Sequence, residues 1–332
     1  MESQPIYIAG LERSGTSLIY ALLGSHPTIA MMRRTNLWTH FYGQYGDLSQ
    51  QANFERCLAM MMRYKRIVRL RPDANRLRRE FWQGEPSYAR LFDLIGRHYA
   101  ERQGKPRWGD KSLNTERYAE PIFEAFPQAR IIHMIRDPRD RYASAWTRWG
   151  QSRGGVGAGT AMWLWSVECA RRNSQRYPDR YKLLRYETLV FRPEETLQEL
   201  CAFLGEAYSP EMLTMQSAQQ FRDEGGNSSY GRRQPGRIST SSIGRFRNVM
   251  SRRQIAYMEQ KAGAEMASLG YVLDDVNLSR GEKTLFYAID QPLNVARAAA
   301  WRGREAMLDR KGRAVPSYRI VAPPPDTAVA VN

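Results

Sequence analysis

A buried strand that turns on glycine into a helix is the feature that most constrains this sequence. Residues 5–27 read PIYIAGLERSGTSLIYALLGSHP, with an apolar run first and a helical spacing of apolar residues from about Thr16. Gly10 and Gly15 stand at the spacing of a phosphate-binding loop. Glycines let backbone amides curl around an anion, and the N-terminus of the following helix adds a partial positive charge. The segment therefore predicts an anion-binding loop, an ordinary glycine turn being the plainer alternative.

Two further apolar runs extend this strand-and-helix pattern along the chain. ARIIHMIRDP, residues 129–138, and YKLLRYETLV, residues 181–190, have the composition of buried strands, and helical patterns follow them at 139–150 and 193–204. Strands that alternate with helices indicate βαβ units. We therefore predict an α/β protein with a three-layer, P-loop-like fold, in which helices flank a central, mostly parallel sheet. Ligands of such sheets bind at the carboxyl ends of the strands.

The remaining patterns predict the domain organisation. Residues 1–278 are predicted to form one principal domain, with a helical region at about 50–107 that lines the acceptor site or forms a lid. Residues 222–247 are rich in Gly, Ser, Asn and Arg and predict a long loop. From 279 to 332 the sequence predicts a basic helix followed by a flexible tail, APPPDTAVAVN.

The charge balance favours an anionic partner. The 332 residues include 50 Lys and Arg against 34 Asp and Glu, a net charge of +16. Nucleic acid, an acidic membrane face and a polyphosphorylated small molecule are the partner classes that this charge admits. The basic C-terminal region, with Trp301, is the part predicted to contact an anionic membrane or glycan peripherally, solubilising charge being the alternative.

Cysteine usage and hydropathy bear on the cellular compartment. Cys57, Cys169 and Cys201 are odd in number and far apart, with no Cys/His cluster, so we expect reduced thiols and no structural zinc. No stretch of about 18 apolar residues occurs, and Glu12 and Arg13 interrupt the apolar run near the start. These features predict a soluble, cytoplasmic protein.

A second anion site is predicted where the 129–138 strand passes into its helix. Arg136 lies at the carboxyl end of this strand, and Ser144 and Arg148 are four residues apart on one face of the helix. An arginine fork with a hydroxyl and a second arginine is typical of a phosphate site. Two anion sites at neighbouring strand ends predict a ligand phosphorylated at two separated positions.

The glycine loop lacks the lysine that nucleoside triphosphatases use. Thr16 occupies the position of the lysine that reaches the β- and γ-phosphates in those proteins. This difference argues against hydrolysis of ATP or GTP. Arg13, inside the loop, can supply the missing cation.

Five segments together resemble the sulfotransferases. They are GLERSGTS at 10–17, WGDKS at 108–112, the RDPRD segment with its following serine and arginine at 136–148, LLRYETLV at 183–190 and ISTSSIGRFRN at 238–248. The resemblance extends over roughly residues 5–272 and is greatest to the bacterial branch related to the Golgi protein-tyrosine and carbohydrate enzymes. It implies the donor 3′-phosphoadenosine 5′-phosphosulfate (PAPS), which has two separated anions, and the product 3′,5′-adenosine bisphosphate (PAP).

The resemblance also implies which residues bind the two anions of the donor. The 5′-phosphosulfate would be gripped by the loop residues Arg13, Ser14, Gly15, Thr16 and Ser17. The 3′-phosphate would be held by Arg136 and Ser144, with Arg148 nearby.

Two more contacts to the nucleotide follow from the resemblance. Tyr186, in the third predicted strand, matches a nucleotide-contacting tyrosine, although packing in the core explains it nearly as well. The loop from Ser239 to Asn248 matches the segment that folds over the 3′-phosphate and adenosine. Arg245 is its predicted cation, a solvated loop arginine being the alternative.

Cations are also implied at the leaving group. Sulfuryl transfer resembles phosphoryl transfer in its loose, in-line transition state, in which charge builds on the bridging oxygen of the departing phosphate. Positioned cations therefore contribute much of the catalysis. Lys111 and Arg13 are assigned to that oxygen, a surface lysine on a loop being the alternative for Lys111. Asp110 is expected to orient Lys111, because a carboxylate beside an ammonium keeps both charged. No metal is expected, since the protein's own cations neutralise the donor.

The catalytic base is the point at which the resemblance fails. In the protein-tyrosine branch a glutamate follows the first helix after a His-Pro turn. The turn is present here at His26, but Arg33 and Arg34 occupy the acidic position. His40 is the nearest residue that takes a proton near neutral pH, a packed structural histidine being the alternative. Two carboxylates are weaker candidates, Asp47 and Glu85.

The sequence therefore favours one function and leaves others open. The leading prediction is a sulfotransferase that moves a sulfuryl group from PAPS to a hydroxyl of a small molecule, lipid, sugar or peptide, with no nucleic-acid partner. A pseudo-enzyme would keep the donor site without a base. The missing loop lysine weakens a P-loop kinase. A module that binds nucleic acid or membrane would use only the charge of +16.

Overall fold

Five parallel strands form the centre of the protein, which the computed structural model describes at residues 4–150, 154–215 and 238–321. The strands are β1 Ile6–Ala9, β2 Ile29–Arg33, β3 Arg107–Lys111, β4 Arg130–Ile135 and β5 Tyr181–Arg185. Their order in the sheet is β2-β3-β1-β4-β5, and each neighbouring pair is parallel. Ile8 of β1 lies opposite Lys111 of β3 and Ile132 of β4, so the three central strands end side by side.

Helices connect the strands and cover the sheet. In chain order they are α1 Thr16–Gly24, α2 Gln51–Met61, α3 Lys65–Val68, α4 Ala74–Phe81, α5 Tyr88–Arg102, α6 Ala119–Ala125, α7 Pro138–Trp149, α8 Gly155–Arg176, α9 Tyr186–Phe191, α10 Pro193–Leu204, α11 Glu211–Thr214, α12 Arg252–Ser268, α13 Arg280–Leu285 and α14 Gln291–Lys311. Shorter π turns span Leu37–Phe41 and Phe286–Asp290, and 3₁₀ turns span Thr115–Tyr118, Arg245–Asn248 and Ser317–Arg319.

Apolar side chains on both faces of the sheet explain why its strands are parallel. In β1, Tyr7 and Ala9 pack into one core, together with residues of α5. Ile6 and Ile8 pack into a second core on the other face, together with residues of α1 and α10. Side chains alternate between the faces of a strand, and parallel strands need helices over both faces. The predicted three-layer α/β fold is thus confirmed.

Two strands were not predicted, and two were predicted too long. β2, IAMMR, is a short apolar run that was overlooked, whereas β3, RWGDK, has three charged residues in five and lacks the apolar pattern. Residues 108–111, which were expected in a loop, therefore belong to a strand. The second predicted strand extends past β4, which ends at Ile135. The third predicted strand is wrong beyond Arg185, because Tyr186 begins α9. The helices predicted after β4 and β5 are confirmed as α7 and α10.

Other expectations are confirmed only in part. α2 to α5 confirm the helical character of the region at about 50–107, while its role as an acceptor wall or lid stays a prediction. α13 and α14 confirm helix in the C-terminal region. Most of the predicted loop at 222–247, and all of the tail at 322–332, lie outside the described residues. The three cysteines, Cys57, Cys169 and Cys201, are buried and unpaired, as expected of reduced thiols.

The C-terminal segment packs on the rest of the molecule, and two of its attachments lie near the site. Arg117 forms ion pairs with Glu305 and Asp309 of α14, at 2.6 and 2.7 Å. Farther on, Ile320 forms an antiparallel bridge with Tyr64, just before α3. Among the residues described, no helix combines the length and the apolar composition that crossing a membrane requires.

Candidate active site

The glycine loop between β1 and α1 packs closely against β4 and Tyr186. A Cβ atom on Gly10 would lie 2.3 Å from the carbonyl oxygen of Met134 in β4, and one on Gly15 would lie 2.5 Å from Cδ2 of Tyr186. Both glycines also have positive φ, +111° and +91°. Any larger residue would therefore push the loop away from the sheet, so glycine is required at both ends of the turn.

The loop presents backbone amides at the start of α1. Leu18 and Ile19 donate their amides to the Gly15 carbonyl, at 2.9 and 3.2 Å. The amides of Thr16 and Ser17 have no hydrogen-bond partner within the described part of the chain. Unpaired amides at a helix N-terminus form an anion site. The side chain of Thr16 is buried and that of Ser17 is half-buried.

The two predicted anion sites meet in the structure. Nε of Arg13 donates a hydrogen bond to Oγ of Ser144, at 3.0 Å. Nη1 of Arg136 donates to the carbonyl oxygen of Arg13, at 3.2 Å. Arg136 and Ser144 are 5% and 1% exposed, so both polar groups are held inside the protein. The strand end of β4 and the first turns of α7 thus close one side of the glycine loop.

The segment from Ser239 to Asn248 is fastened over Arg136. Nη2 of Arg136 donates to the carbonyl oxygen of Ser242, at 2.6 Å. The carboxylate of Asp140 accepts hydrogen bonds from the amides of Gly244 and Phe246, at 2.7 and 3.0 Å. Burial raises the pKa of Asp140, and Arg136 opposes that shift. The role of Asp140 was not predicted from the sequence, although its position one turn after Arg136 was a usable signal.

The other residues of this segment contact one another. Ser239 Oγ lies 2.9 Å from Oγ of Ser241, and Arg245 donates from Nε to the Ser241 carbonyl. Arg245 is half-buried at the start of the 3₁₀ turn. Arg148, by contrast, is exposed one turn beyond Ser144. Arg245 therefore lies in the segment that covers Arg136, whereas Arg148 lies at the exposed rim of the site.

Tyr186 joins the loop to Arg136. Its ring is buried against Gly15, and the guanidinium of Arg136 lies 4.5 Å from the ring centre. This cation–π contact fixes the plane of the arginine. Since Tyr186 is the first residue of α9, it sits at the carboxyl end of β5, where ligands of parallel sheets bind.

Lys111 is a buried cation at the carboxyl end of β3. The residue is 2% exposed, and no carboxylate lies within ion-pair distance of its ammonium among the described residues. Burial lowers the pKa of Lys111 well below its usual value, and the nearby Arg34 and Arg33 lower it further, while the charges of Asp110 and Glu12 oppose the shift without cancelling it. The alternative of a surface lysine on a loop is therefore wrong. A buried cation beside two more cations needs an anion.

Asp110 acts on Lys111 through its charge and forms no ion pair with it in the described part of the chain. Adjacent residues of a strand point to opposite faces, and Trp108, two residues before Asp110, packs into the core opposite the α1 face. The Asp110 carboxylate accepts a hydrogen bond from Ser112, at 2.6 Å, and burial raises its pKa. The charge of Asp110 favours the protonated form of Lys111, as expected, while its hydrogen bond fixes Ser112 after β3. That Asp110 orients the lysine stays a prediction.

His40 lies in the π turn that follows β2. The turn is attached to the chain after β3, because the Asn36 amide donates to Oγ of Ser112 at 2.9 Å and Thr39 donates to the Leu113 carbonyl at 3.2 Å. Nδ1 of His40 is 2.8 Å from the carbonyl oxygen of Arg313. A carbonyl only accepts, so Nδ1 bears the proton and Nε2 keeps its lone pair in the neutral ring. Burial lowers the pKa of His40, which favours that neutral form.

A buried glutamate accepts a hydrogen bond from the first residue of the glycine loop. Glu116 is fully buried, and its Oε2 accepts a hydrogen bond from the Gly10 amide, at 3.3 Å. Burial raises the pKa of Glu116. Nothing in the local sequence marked this residue, because its contact with Gly10 spans 106 positions of the chain.

A known protein family and known relatives match much of this chain. The model of a sulfotransferase family matches residues 5–210. A protein-tyrosine sulfotransferase of Drosophila melanogaster is 22% identical over 63% of this chain, and a putative protein-tyrosine sulfotransferase of Caenorhabditis briggsae is 26% identical over 63%. The match covers 39% of the fly protein and 68% of the nematode protein, so the chain spans about two fifths of the fly relative's length.

Solved structures share the fold. The sulfotransferase domain of the Synechococcus PCC 7002 olefin synthase superposes with a TM-score of 0.57 at 18% identity, over 82% of this chain and 97% of that domain. The sulfotransferase domain of the curacin biosynthetic pathway gives 0.53 at 21% identity, over 82% and 99%.

Proposed function

The chain belongs to the sulfotransferase family, and from that membership we propose that it transfers a sulfuryl group from PAPS to a hydroxyl of an acceptor. The observation that supports this most is the contact between Arg13 and Ser144, which joins two anion-binding groups from neighbouring strand ends. A donor with anions at two positions of one nucleotide fits such a site. ATP carries its phosphates in a single chain, so its binding does not require the second anion-binding group, Ser144.

The residues present fit the two anions of the donor. The amides of Thr16 and Ser17, with Arg13, Ser14 and Gly15, would bind the 5′-phosphosulfate. Arg136 and Ser144 would bind the 3′-phosphate, and the Nε atom of Arg136 is buried without a hydrogen-bond partner in the described chain. A buried N–H group without a hydrogen-bond partner can bind an anion at little further free-energy cost of desolvation.

Three nearby groups complete the proposed donor site. Tyr186 would hold the plane of the Arg136 guanidinium, and the segment from Ser239 with Arg245 would cover the nucleotide. Arg148, at the exposed rim, would act only as a steering charge.

Cations at the transfer point are the proposed catalytic groups. When bound, PAPS supplies a sulfuryl group on a phosphate leaving group, so negative charge grows on the oxygen between them. Lys111 and Arg13 are proposed to stabilise that charge. Lys111 is suited to this role because it is buried, and electrostatic stabilisation is strongest where water is excluded. An anion at this position would also keep the ammonium protonated. No metal is needed to neutralise the charge that these residues meet.

His40 is the proposed base for the acceptor hydroxyl. Its Nδ1 hydrogen bond to the Arg313 carbonyl supports this role, because it leaves Nε2 as the proton acceptor. The acceptor's proton would pass to Nε2 as its oxygen bonds to sulfur. The cytoplasm stays the predicted compartment, and contact of the basic C-terminal helices with an anionic membrane stays a prediction.

Nucleotide binding tests the proposal directly. PAP at about 100 times its dissociation constant should stabilise the protein by about 2.7 kcal/mol, and AMP and ATP at the same concentration should stabilise it much less. Arg136→Ala should abolish the difference between PAP and AMP, whereas Arg148→Ala should retain it. Stronger stabilisation by ATP would favour a kinase instead. Turnover of PAPS would then identify an enzyme, and PAP binding without turnover would identify a pseudo-enzyme.

A further inference from the structure

Four arginines near the proposed transfer point lie close enough for their charges to interact. They are Arg34, Arg66, Arg69 and Arg319, called the arginine cluster below. They come from three parts of the chain, namely the end of β2, the α3 region and the segment after α14. The last of these parts lies outside residues 5–210, which the family model covers, so the cluster is partly a feature of this chain's own extension.

Tyr64 is the centre around which these parts assemble. Its side chain is fully buried, and its hydroxyl lies 3.4 Å from the Arg34 carbonyl, 2.7 Å from the donating Asn36 amide group and 3.4 Å from Nη1 of Arg319. The backbone bridge between Tyr64 and Ile320 fixes the C-terminal segment in the same place. This buried hydrogen-bond network therefore positions the backbone of Arg34 and the guanidinium of Arg319.

Nothing of opposite charge balances the cluster in the described chain. None of the four arginines forms an ion pair with a carboxylate in the described part of the chain. Nε of Arg34 is buried and without a hydrogen-bond partner in those same residues. Burial lowers the pKa of Arg66, and the charges of Arg34, Arg69 and Arg319 lower it further.

Elsewhere the protein does pair its arginines. Arg313, six residues before Arg319, forms ion pairs with Glu305 and Asp309 at 2.6 and 3.2 Å. The arginine cluster thus differs from this neighbouring arginine, which has two carboxylate partners. Guanidinium groups gathered without carboxylates are typical of sites that bind phosphate, sulfate or carboxylate ligands.

The cluster is continuous with the proposed transfer point. The Arg34 amide donates to the Lys111 carbonyl, at 2.7 Å, and the Arg34 charge also acts on the Lys111 ammonium. We infer that the acceptor is an anionic molecule, whose phosphate, sulfate or carboxylate group binds the arginine cluster while its hydroxyl lies near Lys111. This inference rests on the proposed function and names the substrate class of the same site.

The test uses the full chain saturated with PAP, which blocks the donor site. Pyrophosphate is the probe, and its binding is measured by isothermal titration calorimetry at constant ionic strength. One pyrophosphate should bind. Arg34→Gln and Arg66→Gln should each weaken it about ten- to a hundredfold, the effect of removing a hydrogen bond to a charged group. The matched control is Arg79→Gln, an exposed arginine of α4 outside the cluster, which should bind pyrophosphate like the wild type.

A competition series then identifies the anionic group. Glucose 6-phosphate, glucose 6-sulfate and glucuronate should each displace pyrophosphate better than glucose does, and their ranking tells phosphate from sulfate and carboxylate. The inference is overturned if PAP-saturated protein takes no pyrophosphate, if glucose competes as well as its anionic relatives, or if the cluster variants bind like Arg79→Gln. Failure of PAP itself to bind would instead overturn the proposed function.

The stability of one variant provides an independent readout. Because Arg66 is half-buried among like charges, Arg66→Gln should raise the melting temperature of the ligand-free protein. A raised melting temperature together with weakened pyrophosphate binding marks a residue kept for ligand binding. A lowered melting temperature with unchanged binding marks a structural arginine and overturns the inference.

Discussion

Nε of Arg13 donates a hydrogen bond to Oγ of Ser144 at 3.0 Å, although 131 residues separate them along the chain. Arg13 belongs to the glycine loop after β1, and Ser144 belongs to α7 after β4. β1 and β4 are neighbours in the sheet, and parallel strands end at the same edge. One hydrogen bond thus connects both halves of the proposed donor site.

Replacing Ser144 by alanine is expected to weaken PAP binding selectively. Ser144 is buried, and a hydrogen bond to a charged group is worth about 1.5–3 kcal/mol, or roughly ten- to a hundredfold in affinity. AMP lacks the 3′-phosphate and should bind Ser144→Ala and wild type alike. Calorimetric titration with both nucleotides measures the difference. Ser268→Ala, at the exposed end of α12, is the control. An equal loss for PAP and AMP would contradict the assignment.

Alanine at Gly15 is expected to disrupt the loop more than alanine at another positive-φ glycine. A Cβ on Gly15 would lie 2.5 Å from Tyr186, whereas Gly43, with φ of +70°, has nothing within 4 Å of its added Cβ. Gly43→Ala should destabilise the protein by about 1–2 kcal/mol through backbone strain alone. Gly15→Ala should lose about 1–3 kcal/mol more through the steric clash. Urea denaturation measures both, and equal losses would refute a clash with Tyr186.

The glycine loop and its partners were predictable from the sequence because their signals are local. The glycine spacing, the apolar run before it and the Arg136 to Ser144 pattern each lie within about a dozen residues. Once three strands were predicted as parallel, geometry required that their ends meet. The hydrogen bond between Arg13 and Ser144 is a consequence of that requirement.

The rest of the site depends on contacts that the sequence does not encode locally. Because β3 was taken for a loop, the alternation that turns Asp110 away from Lys111 was not applied. The contact between Tyr64 and Arg319 spans 255 positions, so no short motif announces the arginine cluster. In the same way, the hydrogen bond from His40 to the Arg313 carbonyl arises only when the C-terminal segment folds back.

Protonation of His40 is expected to lower kcat/KM at acidic pH, which gives the pH–rate profile an acidic limb. Burial lowers the pKa of His40 below 6.5, so kcat/KM should rise with pH through that lowered value and be level near neutral pH. The unfolded chain binds the proton more tightly than the folded protein does in the interval below 6.5, so stability should also fall as pH falls there. His40→Gln should reduce turnover by about 10²- to 10⁴-fold and remove the limb.

A matched histidine variant separates a base from a structural residue. His98→Gln, in α5, removes a buried histidine that contacts Glu80 at 2.7 Å. It should change stability and leave the shape of the pH–rate profile unaltered. An acidic limb that persists in His40→Gln would assign the proton to another group.

Lys111→Met is expected to stabilise the ligand-free protein and abolish most turnover. Met removes a buried ammonium that the described chain leaves unpaired, so the free energy of unfolding should rise. Loss of one electrostatic stabiliser should lower kcat by about 10²- to 10³-fold. PAP should still stabilise the variant, because its 3′-phosphate contacts are intact.

The pH dependence of stability identifies this lysine in the wild type. Because burial holds the pKa of Lys111 well below 10.5, the unfolded chain binds more protons than the folded protein in the interval up to 10.5. Stability of the ligand-free wild type should therefore rise with pH across that interval. Lys111→Met should lack this rise, and Lys261→Met, an exposed lysine of α12, should keep it. An identical pH dependence in Lys111→Met and wild type would mean that the lysine is already paired with an anion, and the proposed stabilisation of the leaving oxygen would fail.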